Sequence, residues 1–199
     1  MGENVYYHIH RIDKEIDDKW CEGATINIGN EYNLFYKFCT EFEAKFLKYK
    51  DKNKVPWSNA YKYVLRNHLL NYDRAYELLD KADYIIGEYQ MLLRENAYEE
   101  IRRAYFNNLP SRTCCIWLCK EKQLNFWKDK FKGSNYKIFM VKVYEKTFKS
   151  NNNMIVAPSN SYNKMKKMAK KYWEYEDKTE QEDDEYLYIG KIKIIKELI

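Results

Sequence analysis

Apolar positions in this chain change their period twice, and the changes divide it into three stretches. The first is short and extended. Val5-Tyr6-Tyr7-His8-Ile9-His10-Arg11 is aromatic and β-branched, and it predicts a strand over about residues 4–10. Side chains alternate along a strand, so Tyr6, His8 and His10 share one face and Tyr7, Ile9 and Arg11 the other. A short polar helix or turn follows at 12–20, then a brief extended segment between Gly23 and Gly29.

From Asn33 the period becomes helical. Leu34, Phe35, Phe38, Phe42 and Phe46 recur at helical intervals, with Asn33 placed to cap the start. Pro56 closes the next loop and Ser58 is the expected cap of a second helix carrying Tyr61, Val64, Leu65 and Leu69. Ala75, Leu78, Leu79, Ala82, Ile85, Ile86 and Tyr89 form another stripe, and a further helix is expected from about 88 to 106. These stripes read as core, and His68 as a histidine of a helix face or of that core.

After Pro110 strands return. Cys114-Cys115-Ile116-Trp117-Leu118-Cys119 is an unbroken apolar run, as expected of a strand buried on both faces. Residues 120–131 predict a helix with Leu124, Trp127 and Phe131 on one side. Residues 136–144 predict a strand, 160–173 a basic amphipathic helix, and 186–195 a last strand with a bulge at Gly190. Strands at both ends with helices between them predict an α+β fold.

Composition narrows this picture modestly. A length of 199 residues suits one domain, 1–199, and 45% hydrophobic with 33% charged residues suits a globular chain. No run approaches the roughly 18–20 apolar residues of a membrane span, and the N-terminus lacks a basic-then-apolar signal pattern, so a cytoplasmic location is expected. Cys21, Cys39, Cys114, Cys115 and Cys119 fit reduced thiols, and their spacing predicts no metal site. The net charge of +5 is unevenly spread: residues 164–171 hold five lysines in eight residues, and 174–185 hold eight acids against one lysine. Such blocks read first as solvated helix face and loop, and second as a patch for nucleic acid or an anionic cofactor.

Four elements carry candidate chemistry: the His8 strand, Ser111-Arg112 leading into the Trp117 strand, Phe126-Trp127, and Glu185-Tyr186. Together they resemble the ADP-ribosyltransferase-like superfamily. Tyr7-His8-Ile9-His10 resembles its first-strand Tyr-His-x-[Ser/Thr] element, with His10 in the hydroxyl position. Ile116-Trp117-Leu118-Cys119 and Phe126-Trp127 resemble the strand and helix that bear two stacking aromatics. Asp184-Glu185-Tyr186-Leu187-Tyr188 resembles the strand with the catalytic glutamate. The chain resembles still more closely a bacterial branch of small proteins of unknown function. The shared segments there are Trp20-Cys21-Glu22-Gly23, Glu99-Glu100-Ile101-Arg102 and Leu109-Pro110-Ser111-Arg112.

The superfamily resemblance implies a split β-sheet core, with 33–106 as a mainly helical insertion. It implies NAD+ as substrate, cleavage of the nicotinamide–ribose bond, and a macromolecular acceptor, protein or nucleic acid, as for a toxin or defence effector. Such cleavage passes through an oxocarbenium-like state that a nearby carboxylate stabilises. Glu185 takes that role, with Glu182, Asp184 and Glu145 as alternatives. His8 and His10 are the candidate cofactor-binding histidines, Trp117 and Phe126 the candidate nicotinamide stackers, and Arg112 the candidate pyrophosphate partner. The alternative is a non-catalytic module of the same fold that binds nucleic acid or protein.

Overall fold

The computed structural model describes residues 4–12, 19–47 and 54–199. Its α+β architecture rests on two antiparallel sheets. One sheet runs in the order β1 (Val5–Arg11), β6 (Tyr136–Val143), β9 (Gly190–Glu197), β2 (Thr25–Ile28). The other has β8 (Asp184–Tyr188) between β5 (Ile116–Leu118) and β7 (Phe148–Asn151). The sheets touch at one reciprocal pair: the Tyr7 and Cys119 amides each donate to the other's carbonyl at 2.9 Å. A small ribbon of β3 (Lys45–Leu47) and β4 (Lys54–Pro56) stands apart.

Three apolar layers follow from strand alternation. Tyr6, Phe139, Val141, Ile192 and Ile194 face Ile116, Leu118, Tyr186 and Tyr188, closing the space between the sheets. On the opposite face of the first sheet, Tyr7, Ile9 and Ile138 pack under Leu124, Trp127 and Phe131. Those three come from α4 (Leu124–Lys130) and its end, the side expected from the sequence. On the far face of the second sheet, Leu187 and Cys115 pack against Tyr98 and Ile101 of α3 (Tyr72–Tyr105) and against Ala169, Tyr172 and Trp173 of α5 (Tyr162–Trp173).

Several expectations are corrected. The stripes at 75–89 and 88–106 belong to one continuous helix, α3, of 34 residues and about 51 Å. No proline interrupts it, and Asn71 caps its start by accepting from the Arg74 amide. Its C-terminal half carries Tyr98 and Ile101 into the core, so that part of the 33–106 segment is integral to the sheet packing. Asn33 caps α1 (Leu34–Glu41) as expected, accepting from the Tyr36 amide at 2.9 Å. That helix stops at Glu41, however, and the chain is extended at Phe42 and then forms β3. Ser58 does not cap α2 (Trp57–Arg66), which starts one residue earlier after Pro56. His68 lies in neither helix face nor core: it is exposed in the turn before α3, with a left-handed φ of 52°.

The unbroken apolar run at 114–119 yields only three strand residues, because 111–114 form a turn. The expected last strand is two strands in different sheets. Gly190 is the corner between them, with φ 131°, where a Cβ would come within 2.9 Å of the Tyr188 hydroxyl. The strand β7 had no counterpart in the sequence reading. The polar turn expected at 12–20 lies largely outside the described residues.

Candidate functional site

Trp117 is the joint of the site, with its ring on one side of β5 and its carbonyl turned towards β1. On the ring side, Arg112 is held in place by the 111–114 turn, whose carbonyls are gripped from outside. The Asn33 amide donates to the Arg112 carbonyl at 2.7 Å and to the Cys115 carbonyl at 3.2 Å. The Arg112 guanidinium then lies 5.6 Å from the Trp117 ring and 4.9 Å from that of Tyr172. It donates through Nε to Glu95 at 3.0 Å, and through Nη1 to Glu185 at 2.7 Å and to the Tyr172 hydroxyl at 2.7 Å. Tyr172 in turn donates to the same Glu185 oxygen, Oε1. Arg94 meets the second oxygen of Glu95 at 3.1 Å, so two guanidiniums answer two carboxylates.

These groups are withdrawn from solvent: Glu95 is 1% exposed, and Arg112 and Glu185 are each 5% exposed. Burial alone would raise the pKa of Glu95, but Arg112 and Arg94 outweigh it and hold the carboxyl below its ordinary value. Burial would lower that of Arg112, and Glu95, Tyr172 and Glu185 drive it well above the usual value. Burial also pushes the Tyr172 hydroxyl far up, so it remains a donor. Both bonds to Glu185 fall on Oε1, and among the described residues nothing donates to Oε2.

On the carbonyl side, His8 Nδ1 donates to the Trp117 carbonyl at 2.9 Å, which leaves Nε2 as the lone pair facing His10 Nδ1 at 3.4 Å. The Trp20 indole lies across both imidazoles, its ring 4.9 Å from that of His8 and 4.4 Å from that of His10. Burial pushes the His8 pKa down to about 3, against the pull of the Trp117 carbonyl and with help from His10. At neutral pH His8 is therefore an uncharged imidazole with a fixed tautomer.

The structure thus brings His8, His10, Arg112, Trp117 and Glu185 around one short strand. Phe126 is not brought in. It packs edge-on to Trp127 under the Lys130 ammonium, and it is Trp127 that reaches the second sheet, donating to the Asp184 carbonyl at 3.0 Å. Arg112 meets carboxylates of its own chain rather than facing outward for a pyrophosphate. Of the alternative acids, Glu145 and Glu182 are exposed. Asp184 is buried and held by Lys149 at 3.0 Å.

The acidic run, read first as solvated helix face and loop, is solvated only in part, since Asp183, Asp184 and Glu185 are all buried where it enters β8. Burial holds the buried thiols protonated at neutral pH: it raises Cys39 to about 11 and Cys119 to about 12, and pushes Cys115 well above its ordinary value. Among the described residues, no group of three His, Cys, Asp or Glu side chains could hold a metal ion, and no helix is long and apolar enough to cross a membrane.

Sequence reasoning missed three members of the site. Glu95 stands on the apolar face of α3, one residue from Arg94 and four from Glu99, where the stripe calls for hydrophobic side chains. Acids at such positions signal a buried cation, and Glu99 supplies a second case, accepting from Arg102 at 2.9 Å and from the Arg112 amide at 3.2 Å. Tyr172 was hidden in a lysine-rich helix, and Trp20 in a segment with no periodicity. The model of a family described as a protein of unknown function, DUF2441, matches residues 6–199, which takes in every residue of this cluster. The chain belongs to that family. Among curated proteins, none matches it in sequence.

Proposed function

We propose that this chain is an NAD+-dependent ADP-ribosyltransferase that cleaves the nicotinamide–ribose bond and transfers ADP-ribose to a macromolecular acceptor. The observation that supports this reading is convergence on Trp117. Residues far apart in sequence meet there, with His8 bonded to its carbonyl and Arg112 lying between its ring and Glu185. In the reaction nicotinamide departs with the bonding electron pair. The acceptor nucleophile supplies a new pair to the anomeric carbon and gives up its proton. Glu185 Oε2 would accept from a ribose hydroxyl and stabilise the developing positive charge, while Arg112 and Tyr172 fix the carboxylate through Oε1. Arg112 is therefore a positioning residue rather than a pyrophosphate ligand. His8, neutral and with one tautomer, would present a fixed polar edge to the nucleotide.

A second reading, a binding module of the same fold without catalysis, is favoured by one observation. The Glu95–Arg112–Glu185–Tyr172 network is internally paired and almost solvent-free, as in a purely structural ion cluster. Nicotinamide release from NAD+ separates the two readings. The transferase reading expects turnover by the wild type, loss of about 100-fold or more in Glu185→Gln assayed below its lowered melting temperature with native near-UV circular dichroism, and weaker NAD+ binding in His8→Ala. Binding without turnover would favour the module, and absence of both from the wild type would sink the enzyme.

A further inference from the structure

The outer face of the four-stranded sheet is half covered. Tyr7, Ile9 and Ile138 lie beneath α4, whereas among the described residues no buried apolar cluster covers this face of the β9–β2 half. Paired residues in neighbouring strands point to the same side. Lys142 of β6 stands directly opposite Lys193 of β9, and that row continues to Thr25 of β2. Lys191 lies two residues along β9 from Lys193, on the same face and opposite Asn27. Past the bulge at Met140/Val141, Lys196 joins the face opposite Met140. All four lysines are exposed, and among the described residues none has a carboxylate within ion-pair distance.

The arrangement works against the fold. Like charges directly opposite each other across a sheet are destabilising, and among the described residues no carboxylate pairs with these four lysines. The lysines of α5 differ, since Lys166 is tied to Glu100 at 2.5 Å and Lys170 to Glu174 at 3.6 Å. The sheet lysines also sit on a flat, rigid surface. Lys191 and Lys193 are about 7 Å apart along the strand, a separation like that of phosphates on an extended single strand. At the edge of the patch Tyr144 is 50% exposed, its ring 5.9 Å from the Lys142 ammonium, and so offers a face for a base.

We propose that this open half-face, centred on Lys142 and Lys193, binds the phosphodiester backbone of a single-stranded nucleic acid. The proposal does not depend on NAD+ chemistry, because the patch lies on the opposite side of the first sheet from His8. Fluorescence anisotropy with labelled oligouridylate and oligothymidylate tests it and tells RNA from DNA. The expected result is binding at low salt that weakens linearly on a log–log plot.

Lys142→Gln with Lys193→Gln should lower affinity roughly twentyfold near 0.1 M salt and reduce the slope by about 1.4, or about 0.7 for each lost phosphate contact. The same double variant should melt at a higher temperature, because it removes the opposed charges; this rules out misfolding as the cause of lost binding. Lys167→Gln with Lys171→Gln, on α5, should leave the slope unchanged. Failure of the wild type to bind either oligonucleotide, an unchanged slope in the sheet variant, or tighter binding to phosphatidylserine vesicles or polyglutamate would each overturn it.

Discussion

On the ring side of Trp117, the buried polar groups are charged and mutually paired: two carboxylates, two guanidiniums and a phenol, almost out of contact with water. On its carbonyl side the group 2.9 Å from the Trp117 backbone oxygen is a neutral imidazole, His8, half-buried beside His10 under one indole. The difference lies in how each side responds to change. Charges taken out of water are tolerated only while every partner remains, so removing one exposes the whole desolvation cost of the others. A neutral imidazole carries no such obligation, but burial has made its protonation costly. The ring side should therefore be sensitive to mutation and the carbonyl side to acid.

The largest effect is expected at Arg112. Arg112→Met keeps much of the side chain's length and packing but leaves Glu95 and Glu185 facing each other with one cation between them removed. Loss of one partner from a buried pair costs about 3–5 kcal/mol. Urea unfolding monitored by tryptophan fluorescence should show a loss of that size. A loss below about 1 kcal/mol would mean that the carboxylates take up protons or reach solvent, and that the network does not hold the site.

Acid probes the other side. In the unfolded chain His8 takes up a proton near its ordinary 6.5, and in the folded chain only near 3. Between those values the unfolded state binds more protons, so stability is complete above pH 6.5 and falls as the pH drops towards 3. The slope is about 1.4 kcal/mol per pH unit. Glu95 adds its own loss only as the pH approaches the carboxyl range, since its folded pKa lies below 4.5. Burial raises the Glu88 carboxyl, which acts in the opposite sense, so between pH 6.5 and about 5 the His8 share is the difference between the wild type and a variant without the imidazole. His8→Gln should flatten the stability curve there, whereas an unchanged slope would show that the imidazole is solvated in the folded state.

Much of this contrast was legible in the sequence, and the limits have physical causes. Alternation placed Tyr6, His8 and His10 on one face, and the His8–His10 contact follows from it. The order of Arg112, Trp117 and Glu185 carried the ring side. Glu95 and Tyr172 were missed because each sits in a helix whose surface is full of charge, and the one sign at Glu95, an acid on the apolar face, is easily lost among the many solvated acids of α3. The division between β8 and β9 was missed because Gly190 can be read as a bulge or as a corner. Only the pairing of β8 with β5 and β7, set by contacts distant in sequence, decides between them. Phe126 was the expected stacker and Trp127 a packing residue, yet their directions differ by about 100° around the helix. Only Trp127 points at the sheet.

The smallest expected effect is at Tyr172, and it asks whether the ring-side network is a set of pairs or a unit. Its hydroxyl accepts from Arg112 and donates to Glu185, which Arg112 also meets directly. In Tyr172→Phe the ring keeps its packing against Tyr98 and Trp173, and the ion pairs keep their charges. If the bonds act as pairs, the loss is that of a neutral hydroxyl between two charged groups, about 1–2 kcal/mol. If they act as a unit, Glu185 loses part of what fixes Oε1, and its freed orientation lets Arg112 shift from Glu95 as well. A double-mutant cycle with Glu95→Gln distinguishes these cases. Additivity within about 0.5 kcal/mol would mark independent pairs, and a coupling above 1 kcal/mol would tie the phenol to a carboxylate it does not touch.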